Sequence, residues 1–184
     1  MIWQRLLGGP RSSERADAER PPFVAVMGRC DLRCAWCNYR GATVVRSDAE
    51  VGRVRGELDR LRALGHQRVG LGTLHTEPTR HPELPAIIRL AKQLGFREVT
   101  LFTSGILLAE RAYASRLRHQ GLSCVVLTVL WLESEVSDLL FGCAGATAAK
   151  LRAIENCVAE GLDLRVAVLL LRPVLIDLPR ALPE

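Results

Sequence analysis

Three cysteines, Cys30, Cys34 and Cys37, share the short stretch Cys30-Asp31-Leu32-Arg33-Cys34-Ala35-Trp36-Cys37, whereas Cys124, Cys143 and Cys157 are scattered singly. Thiolates are soft ligands, and a loop this short can wrap three of them around one centre. A structural zinc takes four ligands, as two close cysteine pairs or a cysteine–histidine mixture. No fourth Cys or His lies within reach along the sequence. A four-iron cluster held by three cysteines instead leaves one iron open for a small ligand. A redox-active thiol cluster is a further reading of the same residues. An ordinary disulfide staple is disfavoured, because Cys34 and Cys37 are too close and the chain opens without a secretion signal.

The 184 residues, 48% apolar and 24% charged, describe an ordinary globular chain long enough for one domain with a core. The net charge of +5 comes from arginines scattered through helices, with only Lys92 and Lys150 as lysines. No run of basic residues and few aromatics leave nucleic acid disfavoured as a partner. No apolar stretch approaches the roughly 20 residues of a bilayer span. Free cysteines without an export signal point to a reducing cytoplasm.

The elements that must position the cysteines alternate along the chain. Residues 1–22 read as a flexible leader, closed by Pro21-Pro22. Phe23 to Met27 is a short apolar run and makes a first strand, with the cysteine loop directly after it. Ser47 and Glu50 have capping-box spacing ahead of a helix through Leu64, stopped by Gly65. Arg68 to Leu74 makes a second strand, Pro82 opens a second helix, and Val99 to Thr103 is a third strand. A helix over Leu108 to Gln120, a fourth strand over Cys124 to Trp131, a helix over Thr147 to Glu160 and a fifth strand over Leu164 to Leu171 follow. This is the βαβ rhythm of a parallel sheet, whose ligand-bearing loops lie at the carboxyl ends of the strands. Periodicity alone leaves an open doubly wound sheet and a curved partial barrel as alternatives.

The order C-x3-C-x2-C, with Trp36 before the last cysteine, resembles the signature of the radical S-adenosylmethionine (SAM) superfamily. The resemblance covers roughly residues 23 to 180 in motif order. It implies an α/β partial barrel with about five of six β/α units present, so that residues 23–184 would form the core domain and end before the sixth strand. It implies a 4Fe-4S cluster on Cys30, Cys34 and Cys37, with Trp36 packed beside it, and S-adenosyl-L-methionine on the open iron. His75-Thr76-Glu77-Pro78-Thr79 is similar to the family's Gly-Gly-Glu-Pro-Thr, which implies that Glu77 accepts a hydrogen bond from the SAM amino group. His75 and Thr76 stand where the family has two glycines. His75 is read as a tolerated strand-end residue, with a fourth cluster ligand or a proton carrier as alternatives. Thr103-Ser104-Gly105 is similar to Thr-Asn-Gly, Thr128 falls where a SAM-contacting Ser is common, and Asp138 and Gly142 fall near the family's post-strand Asp and Gly. Cys124, Cys143 and Cys157 read as small apolar residues, with an auxiliary cluster site as the other option.

The implied activity is reductive cleavage of SAM to a 5′-deoxyadenosyl radical that abstracts hydrogen from a substrate. A flavodoxin- or ferredoxin-like electron donor would be needed, and the leaning for the substrate is a peptide or protein undergoing maturation. The two substituted glycines and the missing sixth strand also motivate a catalytically silent iron-sulfur protein or fragment for electron transfer or scaffolding. A zinc-binding interaction module is the third reading.

Overall fold

Every strand of the sheet pairs in parallel with its neighbours in the sequence, giving the order β1-β2-β3-β4-β5. The computed structural model describes residues 21–26, 30–37, 50–72, 76–130, 133–169 and 171–172. The expected leader up to residue 20, the Ser47 end of the capping box, and His75 lie outside the described residues. The strands are β1 (Phe23–Val24), β2 (Arg68–Leu71), β3 (Glu98–Thr103), β4 (Cys124–Val129) and β5 (Asp163–Val168). The helices are α1 (Glu50–Ala63), α2 (Leu84–Gln93), α3 (Arg111–His119), α4 (Ser134–Phe141) and α5 (Ala146–Ala159), with single 3-10 turns at Pro78–Arg80 and Ile106–Ala109.

A doubly wound sheet reverses its strand order at a switch point and carries helices on both faces. Here the order never reverses, and one strand face packs on the helices. Val69, Leu71, Val99, Leu101, Val125 and Leu127 alternate onto that face, fully buried against Leu58, Ile87, Leu117 and Ile154 of α1, α2, α3 and α5. The architecture is therefore the partial barrel, and the opposite strand face is its inner one. Gly70, Thr100 and Cys124 share one rung of that face, and Phe102 and Val126 share the next. The rings of Phe23 and Phe102 meet at 4.5 Å over Gly70, where an added Cβ would come within 3.0 Å of Phe102. At the amino ends of the strands Arg68 grips Glu98 through two 3.0 Å bonds, and Arg165 reaches both Glu98 and Asp163 at 3.6 Å.

The structure corrects four sequence expectations. The helix expected over 108–120 is split at Glu110, whose backbone is extended. The preceding turn is instead docked on α5, where the Asn156 amide donates to the carbonyls of Leu108 and Ala109. Pro82 precedes α2, and the proline in its first turn is Pro85. The first, second, fourth and fifth strands are shorter than expected, stopping at Val24, Leu71, Val129 and Val168. Helix α4 was not expected at all, because it buries only Ser137 and Phe141 and turns Val136 and Leu139 to solvent. Among the described residues no helix is long and apolar enough to cross a membrane.

Candidate functional site

Parallel strands bring all their carboxyl ends to one edge, and the stretches singled out by sequence gather there: the cysteine loop beyond β1, Glu77 beyond β2, Ser104 beyond β3 and Thr128 near the end of β4. The cysteine loop is pinned from several sides. Cys37 N donates to Cys34 O at 3.0 Å, closing a turn through Ala35 and Trp36. The Asp31 carboxylate pairs with Arg80 at 2.6 Å, tying the loop to the Pro78–Arg80 turn. Arg33 N donates to Phe141 O at 2.9 Å and Ala35 N to Leu140 O at 2.7 Å. Trp36 packs edge-on against Phe141, ring centres 5.4 Å apart, inside a small apolar cluster that also holds Cys34. Cys30 is exposed, and Cys34 and Cys37 are half-buried. Although Cys30 is exposed as a residue, desolvation of its sulfur raises its thiol, as burial raises that of Cys34 to about 11, and the neighbouring thiols add to the effect. Thiols held in this state ionise when a cationic centre takes them as ligands. Among the described residues no three His, Cys, Asp or Glu side chains converge on a single-ion position.

Glu77 is 1% exposed and acts as a knot. Its Oε1 accepts from Thr79 N at 3.1 Å, from the Thr79 hydroxyl at 2.6 Å and from the Thr103 hydroxyl, while Oε2 accepts from Ser104 N at 2.6 Å. The turn after β2 is thereby fastened to the end of β3. Each carboxylate oxygen offers about two acceptor positions, so Oε2, with a single donor, keeps one open. Gly105 closes the β3 turn at φ 85, where a Cβ would stand 2.4 Å from Leu127. Ser104 carries an unusual feature: its Oγ is buried and has no hydrogen-bond partner. An unmet buried hydroxyl costs about 1–3 kcal/mol, and a ligand bonded there is one standard explanation. Thr76, where the resemblance expects glycine, gives its hydroxyl to Val26 O at 3.0 Å, two residues beyond β1.

The residue that sequence reasoning missed is Lys150. It is 2% exposed on α5, and its Nζ donates to Ser104 O at 2.6 Å and to Thr128 O at 2.9 Å. The ammonium also stands 4.3 Å from the Phe141 ring centre, a cation–π contact. Burial pulls its pKa down to about 8, against the opposing influence of Glu77, Cys34, Cys30 and Cys143. A signal did exist: Lys150 falls on the buried stripe formed by Ala146, Ala149, Ala153, Ile154 and Cys157, where a charge is costly without a purpose.

The remaining motif residues divide. Asp138 does not face the cysteines; it accepts from Gly145 N at 2.6 Å and from the amide and hydroxyl of Thr147 at 2.7 and 2.6 Å, capping α5. Cys124 and Cys157 are buried, and burial raises their thiols to about 11 and about 12, as expected of small apolar residues. Cys143 differs, because it packs in the apolar cluster of Cys34 and Trp36.

The family model described as the radical SAM superfamily matches residues 24–176. The 7,8-dihydro-6-hydroxymethylpterin dimethyltransferase of Methanocaldococcus jannaschii is 31% identical over 149 residues, covering 79% of this chain and 29% of that protein. The PqqA peptide cyclase of Streptomyces rochei is 33% identical over 153 residues, covering 82% of this chain and 40% of the relative. Among solved structures, anSMEcpe with bound AdoMet matches with a TM-score of 0.66 at 15% identity, covering 88% of this chain and 46% of that one. That likeness is one of fold. The chain spans less than half the length of each of these proteins.

Proposed function

Because the chain belongs to the radical SAM superfamily, we propose that Cys30, Cys34 and Cys37 hold a 4Fe-4S cluster and that Glu77, Ser104, Thr128 and Lys150 surround bound S-adenosyl-L-methionine. The observation that carries this reading is Lys150: one buried ammonium bonds the backbone carbonyls of both Ser104 and Thr128 and stands over the Phe141 ring that packs on Trp36 of the cysteine loop. The unpartnered Ser104 hydroxyl is a second reason that the residues fit the ligand. Bound there, cluster and SAM would supply reductive cleavage of a carbon–sulfur bond, the electron coming from an external reductant, and hydrogen abstraction from substrate.

The chain's own groups bind, orient and exclude water. Lys150 supplies positive charge beside the ligating thiolates, held in place by two carbonyls. The free acceptor position of Glu77 Oε2 suits an ammonium of the ligand, and the Ser104 hydroxyl can donate to it or accept from it. Trp36, against Phe141, keeps water from the Cys34 side of the loop. We read the substrate as a peptide or protein and the reductant as a flavodoxin- or ferredoxin-like protein, in a reducing cytoplasm. The PqqA peptide cyclase among the relatives supports the peptide reading.

The test is anaerobic reconstitution with iron and sulfide, followed by dithionite and SAM and an assay for 5′-deoxyadenosine. Wild type should form it, and Cys30→Ala, Cys34→Ala and Cys37→Ala should not. A cluster without 5′-deoxyadenosine would transfer the reading to a silent iron-sulfur protein, and absence of a cluster would overturn it.

A further inference from the structure

We propose that the end of α4, Phe141–Gly142, is the positioning element of the cysteine loop, holding Cys34 in register with Lys150; this rests on the reading of the three cysteines as iron ligands. The last carbonyls of a helix normally have no partner within it. Here those of Leu140 and Phe141 accept from Ala35 N and Arg33 N, so the chain is anchored on both sides of Cys34. Phe141 then serves twice, because its ring touches Trp36 of the loop and lies under the Lys150 ammonium.

Gly142 makes the approach possible. Its backbone is left-handed, φ 63 and ψ 33, and an added Cβ would stand 2.7 Å from Arg33 O and 2.9 Å from Arg33 Cβ. The loop backbone therefore rests on a residue without a side chain, and no rotamer change relieves the clash with a carbonyl. Gly145, in the next turn, is left-handed as well, φ 75, yet its added Cβ would meet nothing within 4 Å. The two glycines share a backbone demand and differ in what lies against them.

That difference supplies the experiment. Asn tolerates left-handed backbone better than most residues, so Gly142→Asn and Gly145→Asn incur comparable strain, and only the first pushes on Arg33. Reconstituted wild type and both variants would be compared by iron loss to a chelator and by the electron paramagnetic resonance of the reduced cluster before and after SAM. Iron loss from Gly142→Asn should be about tenfold faster or more, as for other residues that orient metal ligands, and its spectrum should no longer respond to SAM. Gly145→Asn should match wild type in both. Phe141→Leu keeps the glycine and an apolar side chain while removing the ring; it should hold iron but lose the spectral response, and it decides the matter if Gly142→Asn does not fold. Equal behaviour of the two glycine variants, or a normal SAM response in Phe141→Leu, would overturn the positioning role. A wild type that assembles no cluster would overturn the iron reading itself, and the inference with it.

Discussion

Replacing Glu77 by Gln changes one oxygen to NH2 and leaves the shape intact, so its cost measures the carboxylate knot alone. The carboxylate accepts four hydrogen bonds in a site 1% exposed. The best placement of the amide keeps its oxygen at the Oε1 position, where three donors arrive. Its NH2 then faces Ser104 N–H, donor against donor, and that amide is left unmet at about 1–3 kcal/mol. The other three bonds fall from charge-assisted to neutral strength, losing about 1 kcal/mol each. Relief from burying a charge offsets part of this, leaving a net loss of about 3–5 kcal/mol, the range seen when buried ionic contacts are broken. Urea unfolding of the apoprotein at constant pH, with the slope unchanged, reads the value directly. A loss below about 1 kcal/mol, the scale of an ordinary neutral bond, would refute the claim that Glu77 fastens the β2 turn to β3.

Two further outcomes follow from other charges at the site. Lys150 has its folded pKa pulled from 10.5 to about 8. Between those values the unfolded chain keeps a proton that the folded chain has released, so stability rises with pH. Wild type should therefore gain about 3 kcal/mol relative to Lys150→Met between the two limits, taking about 1.4 kcal/mol per pKa unit; paired denaturation curves showing a constant gap would contradict the buried charge. Asp138 is partly buried, but hydrogen bonds from Thr147 and Gly145 outweigh this and hold its carboxyl below the ordinary range. Its contribution is present above the unfolded carboxyl pKa and is lost as pH falls through the folded one. Asp138→Ala should cost about 1 kcal/mol at neutral pH, as for other helix caps, and nothing in strong acid; an equal deficit at both extremes would exclude the capping role.

The legible parts of the chain were those whose signal is local. Cys30, Cys34 and Cys37 share one loop, so their spacing alone marks them, and Thr103-Ser104-Gly105 is a contiguous turn whose resemblance to Thr-Asn-Gly can be read directly. The strands stood out because Val69 to Leu71, Val99 to Leu101 and Val125 to Leu127 place buried apolar residues two apart. Residues joined only by the fold were harder to see. Glu77 was recognisable, but not that Thr103, on another strand, donates to it. Cys143 looked as isolated as Cys124, and only the packing of α4 brings it into the cluster of Cys34. Helix α4 was invisible because its outward side is itself apolar, with Leu139 79% exposed, which erases the contrast that marks an amphipathic helix. Lys150 was overlooked for the opposite reason: a single charge on a good apolar stripe is easily read as tolerance, whereas here its ammonium bonds the carbonyls of Ser104 and Thr128.

The aromatic pair over Gly70 gives the inner face an uneven relief. On the side of β1 to β3, anything descending from the carboxyl ends meets Phe102 and Phe23 with no recess between them, because the glycine beneath is already filled by the rings. On the side of β4 and β5, the rung of Phe102 carries Val126 and Arg165, whose guanidinium is drawn toward Glu98 and Asp163, and the rung above it carries Thr128 and Ala167. The aromatic bulk of the inner face thus sits on its β1–β3 flank, and the shorter side chains of Val126, Thr128 and Ala167 set the relief of the other.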